Sequence, residues 1–84
     1  MAVGKKEVKK IDEAEIIKKL SERLKQVRIA KGYTSQETFA YQNDINRVQY
    51  SRYEQGKNLN FSTLFRVIQA LDMTVAEFFA EGFE

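Results

Sequence analysis

The feature that most constrains this chain is the spacing of its apolar residues, which recur at intervals of three and four over most of its 84 positions. That spacing puts apolar side chains on one face of an α-helix, whereas a half-buried strand requires alternating apolar and polar residues. The aliphatic residues never alternate for more than a few positions. The clearest stripes are Ile17, Leu20, Leu24 and Val27, and then Leu64, Phe65, Val67, Ile68 and Leu71. The pattern predicts an all-α fold.

Polar residues with capping side chains precede five helical stretches. Such a side chain accepts a hydrogen bond from one of the first backbone N–H groups of a helix, which have no partner within the helix. Glu15 and Glu77 are placed to complete capping boxes at the first and fifth helices, and Gly32 to end the first helix. The predicted caps are Asp12, Ser35 (with Thr34 as a competitor), Asn46, Asn60 and Thr74. The sequence therefore predicts a compact five-helix domain.

The composition excludes several kinds of functional site. The chain contains no cysteine, histidine, proline or tryptophan. Because Cys and His are the usual ligands of zinc, copper, haem and iron–sulfur clusters, we expect no metal site and no cofactor. The common nucleophile–base pairs of acyl transfer are also missing. Glu37, Asp44 and Glu54 could act as acids or bases, but nothing in the sequence brings two of them to one cleft, so no enzyme is expected.

The net charge of +2 hides an uneven distribution. Residues 1–33 include ten basic and five acidic side chains, whereas residues 34–84 include four basic and seven acidic ones. This asymmetry can mark a surface that faces nucleic acid, although a solvated lysine face produces the same pattern. No stretch approaches the roughly 18 consecutive apolar residues of a membrane span, and we expect a cytoplasmic protein. Residues 1–10 are expected to form a flexible basic segment and residues 11–84 a single domain.

The second and third predicted helices are short and are separated by a tight turn. Two such helices form a helix-turn-helix, here at about residues 35–56, whose second helix can enter the major groove of DNA. Arginine can bond guanine, glutamine can bond adenine, and valine can touch the thymine methyl group. Tyr50 and Tyr53 take the opposite, inward face, but any soluble helix can show this division. The candidates for base contacts are Arg47, Val48, Gln49 and Arg52.

A longer pattern is more specific than the helix-turn-helix alone. It comprises Leu24-x-x-Val27-Arg28-x-x-Lys31-Gly32, then Ser35-Gln36-Glu37-x-Phe39-Ala40, then Ile45-Asn46-Arg47-x-Gln49-Tyr50-Ser51-Arg52-Tyr53-Glu54-Gln55-Gly56-Lys57, and finally Leu64, Ala70-Leu71 and the stretch from Thr74 to Phe79. From Leu24 to about Phe79 the chain resembles the Cro and lambda-repressor-like helix-turn-helix family, also called the xenobiotic-response-element (XRE) type.

The resemblance implies roles for individual residues. Gln36, Lys57 and Asn58 would contact the DNA backbone, and the four candidates on the third helix would face base edges. Arg28 and Glu54 would form an internal ion pair between the first helix and the end of the third. Five departures from the family pattern also stand out: Asp44 and Asp72 where glycine is usual, Asn43 where an apolar residue is usual, and tyrosines at 50 and 53 where smaller aliphatic residues are usual.

Apolar residues outside this pattern suggest an additional contact. The first helix begins more than two turns before the usual start, and three aromatic residues lie near the end of the printed sequence. Surplus apolar surface of this kind often marks an interface. We expect the two regions to pack together, either within one chain or across a two-fold homodimer. The candidate interface residues are Ile16, Ile17, Phe79 and Phe83.

Together these features favour a sequence-specific regulator of transcription that binds double-stranded DNA. A homodimer would place two recognition helices about 34 Å apart on a pseudo-palindromic operator. The alternative is an antitoxin-like or adaptor module that uses the same fold to bind a protein partner. The aromatic residues near the end of the sequence favour the alternative, and the polar start of the third helix favours DNA.

Overall fold

The computed structural model describes residues 10–57 and 59–84. It contains five α-helices and, over those residues, no strand, which confirms the all-α prediction. Residues 1–9 of the expected basic segment, and Asn58, a predicted contact of the DNA backbone, lie outside the described residues. The helices are α1 (Glu13–Ala30), α2 (Gln36–Gln42), α3 (Arg47–Tyr53), α4 (Phe61–Ala70) and α5 (Val75–Phe79).

Four of the five predicted helix caps form hydrogen bonds. Ser35, rather than Thr34, caps α2, with its hydroxyl accepting from the N–H of Thr38 at 3.2 Å. The side chains of Asn46 and Asn60 cap α3 and α4 in the same way. Thr74 forms the predicted capping box at α5. These local hydrogen bonds explain why the starts of the short helices could be located from the sequence.

The predicted capping box at the start of α1 is wrong. Asp12 is the residue before the helix, but its side chain makes no capping hydrogen bond. Its backbone carbonyl accepts from the N–H groups of Glu15 and Ile16, both at 3.1 Å. Because Asp12 is exposed, water can solvate its carboxylate, so that little is lost when the cap does not form.

The first four helices are each followed by a residue in the left-handed conformation. Gly32 and Gly56 have φ of +96° and +80°, and Asp44 and Asp72 have φ of +57° and +60°. The following N–H bonds back to a carbonyl in the last turn; after α2, the N–H of Ile45 donates to Ala40 at 2.8 Å. The two aspartates therefore take the conformation for which the family pattern uses glycine.

The hydrophobic core joins all five helices. Phe39 and Tyr50 are fully buried, with ring centroids 4.9 Å apart, so α2 and α3 pack through an aromatic contact. Tyr53 is also buried, which agrees with the inward face predicted for α3. The remaining core residues are Leu24, Val27, Ala40, Leu64, Val67, Ile68, Leu71 and Phe78. None of the described helices is both long enough and apolar enough to span a membrane.

Candidate nucleic-acid interface

Side-chain hydrogen bonds stabilise both sides of the turn between α2 and α3, where one helix ends and the next begins. Asn43 ends α2, and its side-chain amide donates to the carbonyl of Phe39 at 2.9 Å, so this departure from the family pattern caps the helix. Asp44 supplies the left-handed residue, and Asn46 caps α3. Because the inner face of α3 is buried through Tyr50 and Tyr53, its outer face is left for a partner.

Most of the predicted DNA-binding residues line one open groove. Arg47, Val48 and Arg52 enter it from α3, Gln36 from α2, and Lys57 from the segment after α3. Both arginines are exposed, and Val48 is 53% exposed. The groove therefore brings together three candidates for base contacts and two for phosphate contacts.

Three further residues line this groove without having been assigned to it from the sequence: Glu37, Ser51 and Gln55. Ser51 and Gln55 are one helical turn apart, and the spacing of Ser51 from Arg47 and of Gln55 from Arg52 could have indicated a shared face. In the sequence, Glu37 is part of the family pattern and a possible acid or base, but no local feature places it in this groove. Its position opposite Arg47 depends on the packing of α2 against α3, for which the sequence carries no local signal.

Gln49 lies apart from the other candidates for base contacts. It lines a second depression, between α3 and α4, together with Tyr53, Thr63 and Arg66. Its side-chain oxygen accepts a hydrogen bond from the Tyr53 hydroxyl at 3.0 Å. This hydrogen bond holds the Gln49 side chain in the depression between α3 and α4, outside the groove that the other candidates line.

A buried polar cluster lies directly behind the groove. Arg28 donates to Glu54 through Nε at 2.7 Å and through Nη2 at 3.3 Å, and both side chains are at least 96% buried. Arg28 Nη1 also donates to the carbonyl of Tyr33 at 2.7 Å. Gln36, predicted to contact phosphate, donates its amide N–H to Glu54 at 2.8 Å, and the Tyr50 hydroxyl donates to the same carboxylate. Glu54 therefore connects α1, α2 and α3.

Burial and charge alter the acidity of two groups in this cluster. Burial, followed by the hydrogen bond and charge of Glu54, raises the pKa of Tyr50 well above its usual range, so its hydroxyl stays protonated. Burial alone would lower the pKa of Arg28, but the hydrogen bond and charge of Glu54 outweigh it and raise that pKa. Both groups are therefore held in the protonation states that their hydrogen bonds require.

The surplus apolar residues make contacts within the chain. Ile17 packs on Gly56, where an added Cβ would lie only 2.5 Å from its Cγ2. Phe83 is half-buried against the core, and its ring contacts that of Phe79 in a tilted arrangement, with ring centroids 5.0 Å apart. Ile16 is half-buried, and Phe79 is 39% exposed.

Polar contacts attach the segment around α5 to α1. Arg23, itself buried, donates to the carbonyls of Phe78 and Glu77 at 2.7 and 3.0 Å. Lys19 donates to the carbonyl of Glu84 at 2.7 Å. Within the chain, these contacts between α1 and the aromatic segment come from Lys19 and Arg23. A contact of Ile16 or Ile17 with that segment, within one chain or across a dimer, stays a prediction.

Comparison with known proteins agrees with this architecture. Residues 24–78 match the family model described as Helix-turn-helix, which covers more than half of the chain. The chain is also 38% identical over 60 residues to Control protein C.MunI of Mycoplasma sp, a match that spans 70% of this chain and 81% of that protein. No solved structure gives a significant match. With its helix-turn-helix and lambda-repressor-like arrangement of five helices, the chain belongs to the XRE-type helix-turn-helix family of DNA-binding transcriptional regulators.

Proposed function

We propose that the chain regulates transcription by binding a specific pseudo-palindromic operator as a homodimer, with α3 in the major groove. The observation that carries this proposal is the groove itself. Three side chains on the exposed side of α3 share it with Gln36 and Lys57, while the other side of α3 is buried. A B-DNA major groove is wide enough for one such helix. The printed name of the relative, a control protein, also supports a regulatory role.

The residue types in the groove suit a division of tasks. Arg47 and Arg52 each carry a planar fork of donors that matches the O6 and N7 acceptors of guanine, and Val48 suits a thymine methyl group. Lys57 and Gln36 suit phosphate oxygens, with Asn58 of the family pattern as a third backbone contact. Gln49 is the one base-contact candidate that lies outside the groove, because its side chain is bonded to Tyr53 and lines the depression between α3 and α4.

Selection from random duplex DNA tests this function. We expect the wild-type chain to enrich one motif with related half-sites. Arg52→Ala should lose preference at one position of that motif. Lys25→Ala is the matched control, since it also removes an exposed positive charge but lies on α1, away from the groove. Failure to enrich any motif, or equal losses in the two variants, would contradict the proposal.

The homodimer requires a self-complementary surface. Of the four predicted interface residues, Phe79 is the most exposed, although its ring also contacts Phe83 within the chain. We therefore expect Phe79→Ser to weaken self-association in sedimentation equilibrium. Tyr41→Ser is the control, because Tyr41 is 86% exposed on a different helix. A wild-type chain that remains monomeric at all concentrations would remove the dimer from the proposal.

A protein-binding module is the second candidate, and one observation favours it. Phe61 and Phe65 lie one helical turn apart on α4 and are 65% and 39% exposed, outside the groove. Exposed aromatic residues at this spacing suit a protein partner. A folded wild-type chain that selects no DNA sequence would favour this candidate over the first.

A further inference from the structure

A carboxylate faces the groove that the proposed function assigns to DNA. Glu37 lies in the first turn of α2 and lines the groove together with Arg47, Val48 and Arg52. Its side chain is 68% exposed. Since the DNA backbone is itself negative, a carboxylate here weakens the attraction of the groove for phosphate. A surface that only had to attract DNA would gain from a neutral or basic residue at this position.

Glu37 forms an ion pair with one of the candidates for base contacts. Nη1 of Arg47 donates to Oε2 of Glu37, so the pair bridges the outer ends of α2 and α3. The Arg47 side chain is 67% exposed, and water screens a pair as open as this. The pair therefore adds little to the stability of the fold. Its main effect is on the affinity of the groove for its ligand.

The geometry of the pair leaves part of the guanidinium for DNA. Only Nη1 is bonded to Glu37. The Nε and Nη2 atoms form the adjacent edge of the same planar group. Within residues 10–57 and 59–84, neither atom makes a hydrogen bond. Two neighbouring N–H donors of this kind match the O6 and N7 acceptors of a guanine. Arg47 can therefore bond a guanine while it remains bonded to Glu37.

We propose that Glu37 is a specificity-determining residue that acts through Arg47, an inference that rests on the proposed function. Glu37 offsets the charge of Arg47 and so reduces its attraction to any nearby phosphate. It also orients the guanidinium. The Nε and Nη2 edge then binds most strongly where a guanine presents both of its acceptors. Specificity is a difference between two affinities, and Glu37 increases it mainly by weakening binding to unselected DNA.

The test compares Glu37→Gln with Glu22→Gln. Both substitutions remove one exposed carboxylate, but Glu22 lies on α1 and away from the groove. The first measurement is the slope of log affinity for random duplex against log salt concentration. The second is the ratio of affinity for the site selected by the wild-type chain to affinity for random duplex. Thermal unfolding of each variant shows that it is folded.

In Glu37→Gln we expect the salt slope to steepen by about one for each Arg47 that contacts the DNA, because each released Arg47 neutralises one more phosphate. The affinity ratio should fall by roughly three- to tenfold, a part of what a full bidentate contact with guanine provides. Glu22→Gln should leave both quantities unchanged. In an Arg47→Ala background, adding Glu37→Gln should cause no further loss of preference at the position that Arg47 contacts.

Two results would overturn the proposal while leaving the proposed function standing. One is the same slope and ratio in the two glutamine variants, which would reduce the effect to net charge. The other is a lower melting temperature in Glu37→Gln with an unchanged ratio, since Glu37 would then serve only the positive end of the α2 dipole. A wild-type chain that enriches no site would overturn the proposed function, and this proposal with it.

Discussion

At the scale of single residues, the carboxylate of Glu54 has partners from three helices: Arg28 of α1, Gln36 of α2 and Tyr50 of α3. Its side chain and that of Arg28 are almost completely buried. A buried ion pair contributes little net stability, because desolvation offsets the attraction. Removing one partner is different, since the other charge then remains buried without compensation. The orientation of α3 relative to α1 and α2 therefore depends on these hydrogen bonds to the Glu54 carboxylate.

Glu54→Ala is expected to lower the free energy of unfolding by about 3–5 kcal/mol, because it leaves the Arg28 guanidinium buried and unpaired. Urea denaturation measures the loss. The control is Glu22→Ala, an exposed acid on α1, whose effect should stay within about 0.5 kcal/mol. Similar small losses in the two variants would mean that water reaches Arg28 and replaces the carboxylate.

The pKa of Tyr50 makes stability depend on pH in alkaline solution. The raised pKa keeps this phenol protonated in the folded chain, whereas in the unfolded chain it ionises near its usual pKa of about 10. Folded protein thus binds one more proton than unfolded protein above that pH. Stability should therefore fall as pH rises through this range, by up to about 1.4 kcal/mol per pH unit from this residue.

Urea denaturation at pH 9 to 11 (roughly the range around the usual phenol pKa) checks this expectation. Tyr50→Phe should show a shallower decline than the wild type, because phenylalanine has no proton to lose. Tyr41→Phe is the control: Tyr41 is 86% exposed, so its removal should leave the decline unchanged. Parallel declines in wild type and Tyr50→Phe would refute the role assigned to the buried phenol.

At the scale of elements, the first turns of α1 support the end of α3. Ile17 contacts Gly56, which follows α3 and has a positive φ. The next residue, Lys57, bonds back to the carbonyl of Arg52 at 2.8 Å, so this turn also places a proposed phosphate contact. Gly56 therefore meets two demands, a left-handed backbone and a close approach by another helix.

Gly56→Ala and Gly32→Ala separate these two demands. Both glycines have a positive φ, but an added Cβ at Gly32 has nothing within 4 Å, whereas at Gly56 it meets Ile17. Gly32→Ala should cost about 1–2 kcal/mol, the usual penalty of a left-handed alanine. Gly56→Ala should cost a further 1–3 kcal/mol or so from overpacking, part of which Ile17→Ala should restore. Equal losses in urea denaturation would show that α1 moves aside freely.

At the scale of the whole molecule, the charge of the part that we propose faces DNA is nearly balanced. Residues 34–57 contain Arg47, Arg52 and Lys57 against Glu37, Asp44 and Glu54, and Glu54 is buried with Arg28. Bulk charge therefore contributes little to DNA binding. Most of the affinity should come from direct contacts of a few side chains in the groove. We therefore expect a modest dependence of affinity on salt and weak binding to unselected DNA.

Lys57→Ala tests this distribution of roles. A phosphate contact carries no sequence information, so its loss should weaken binding to selected and random duplexes alike. The salt slope should become shallower by about one for each Lys57 that contacts the DNA. Lys25→Ala, on α1, should leave the slope unchanged. A change in base preference in Lys57→Ala would place this residue at the bases instead.

The five helices and the family could be predicted from the amino-acid sequence. Helix periodicity, the caps at Ser35, Asn46, Asn60 and Thr74, and the end of α1 at Gly32 all depend on neighbours within about four positions. Such interactions can be recognised from spacing alone. The failed cap at Asp12 shows the limit of this reasoning, since an exposed carboxylate can bond water equally well.

The arrangement of the candidate site could not be predicted from the sequence and became visible in the folded chain. Folding turned Gln49 toward Tyr53, set Glu37 opposite Arg47, tied Gln36 to Glu54 and packed Ile17 on Gly56. Except for the bond between Gln49 and Tyr53, these contacts join different elements, and their partners are separated by ten to 39 positions along the chain. Their existence depends on the angle and distance at which two helices pack. Helix packing is set by the shape of the whole core, for which local spacing carries no signal.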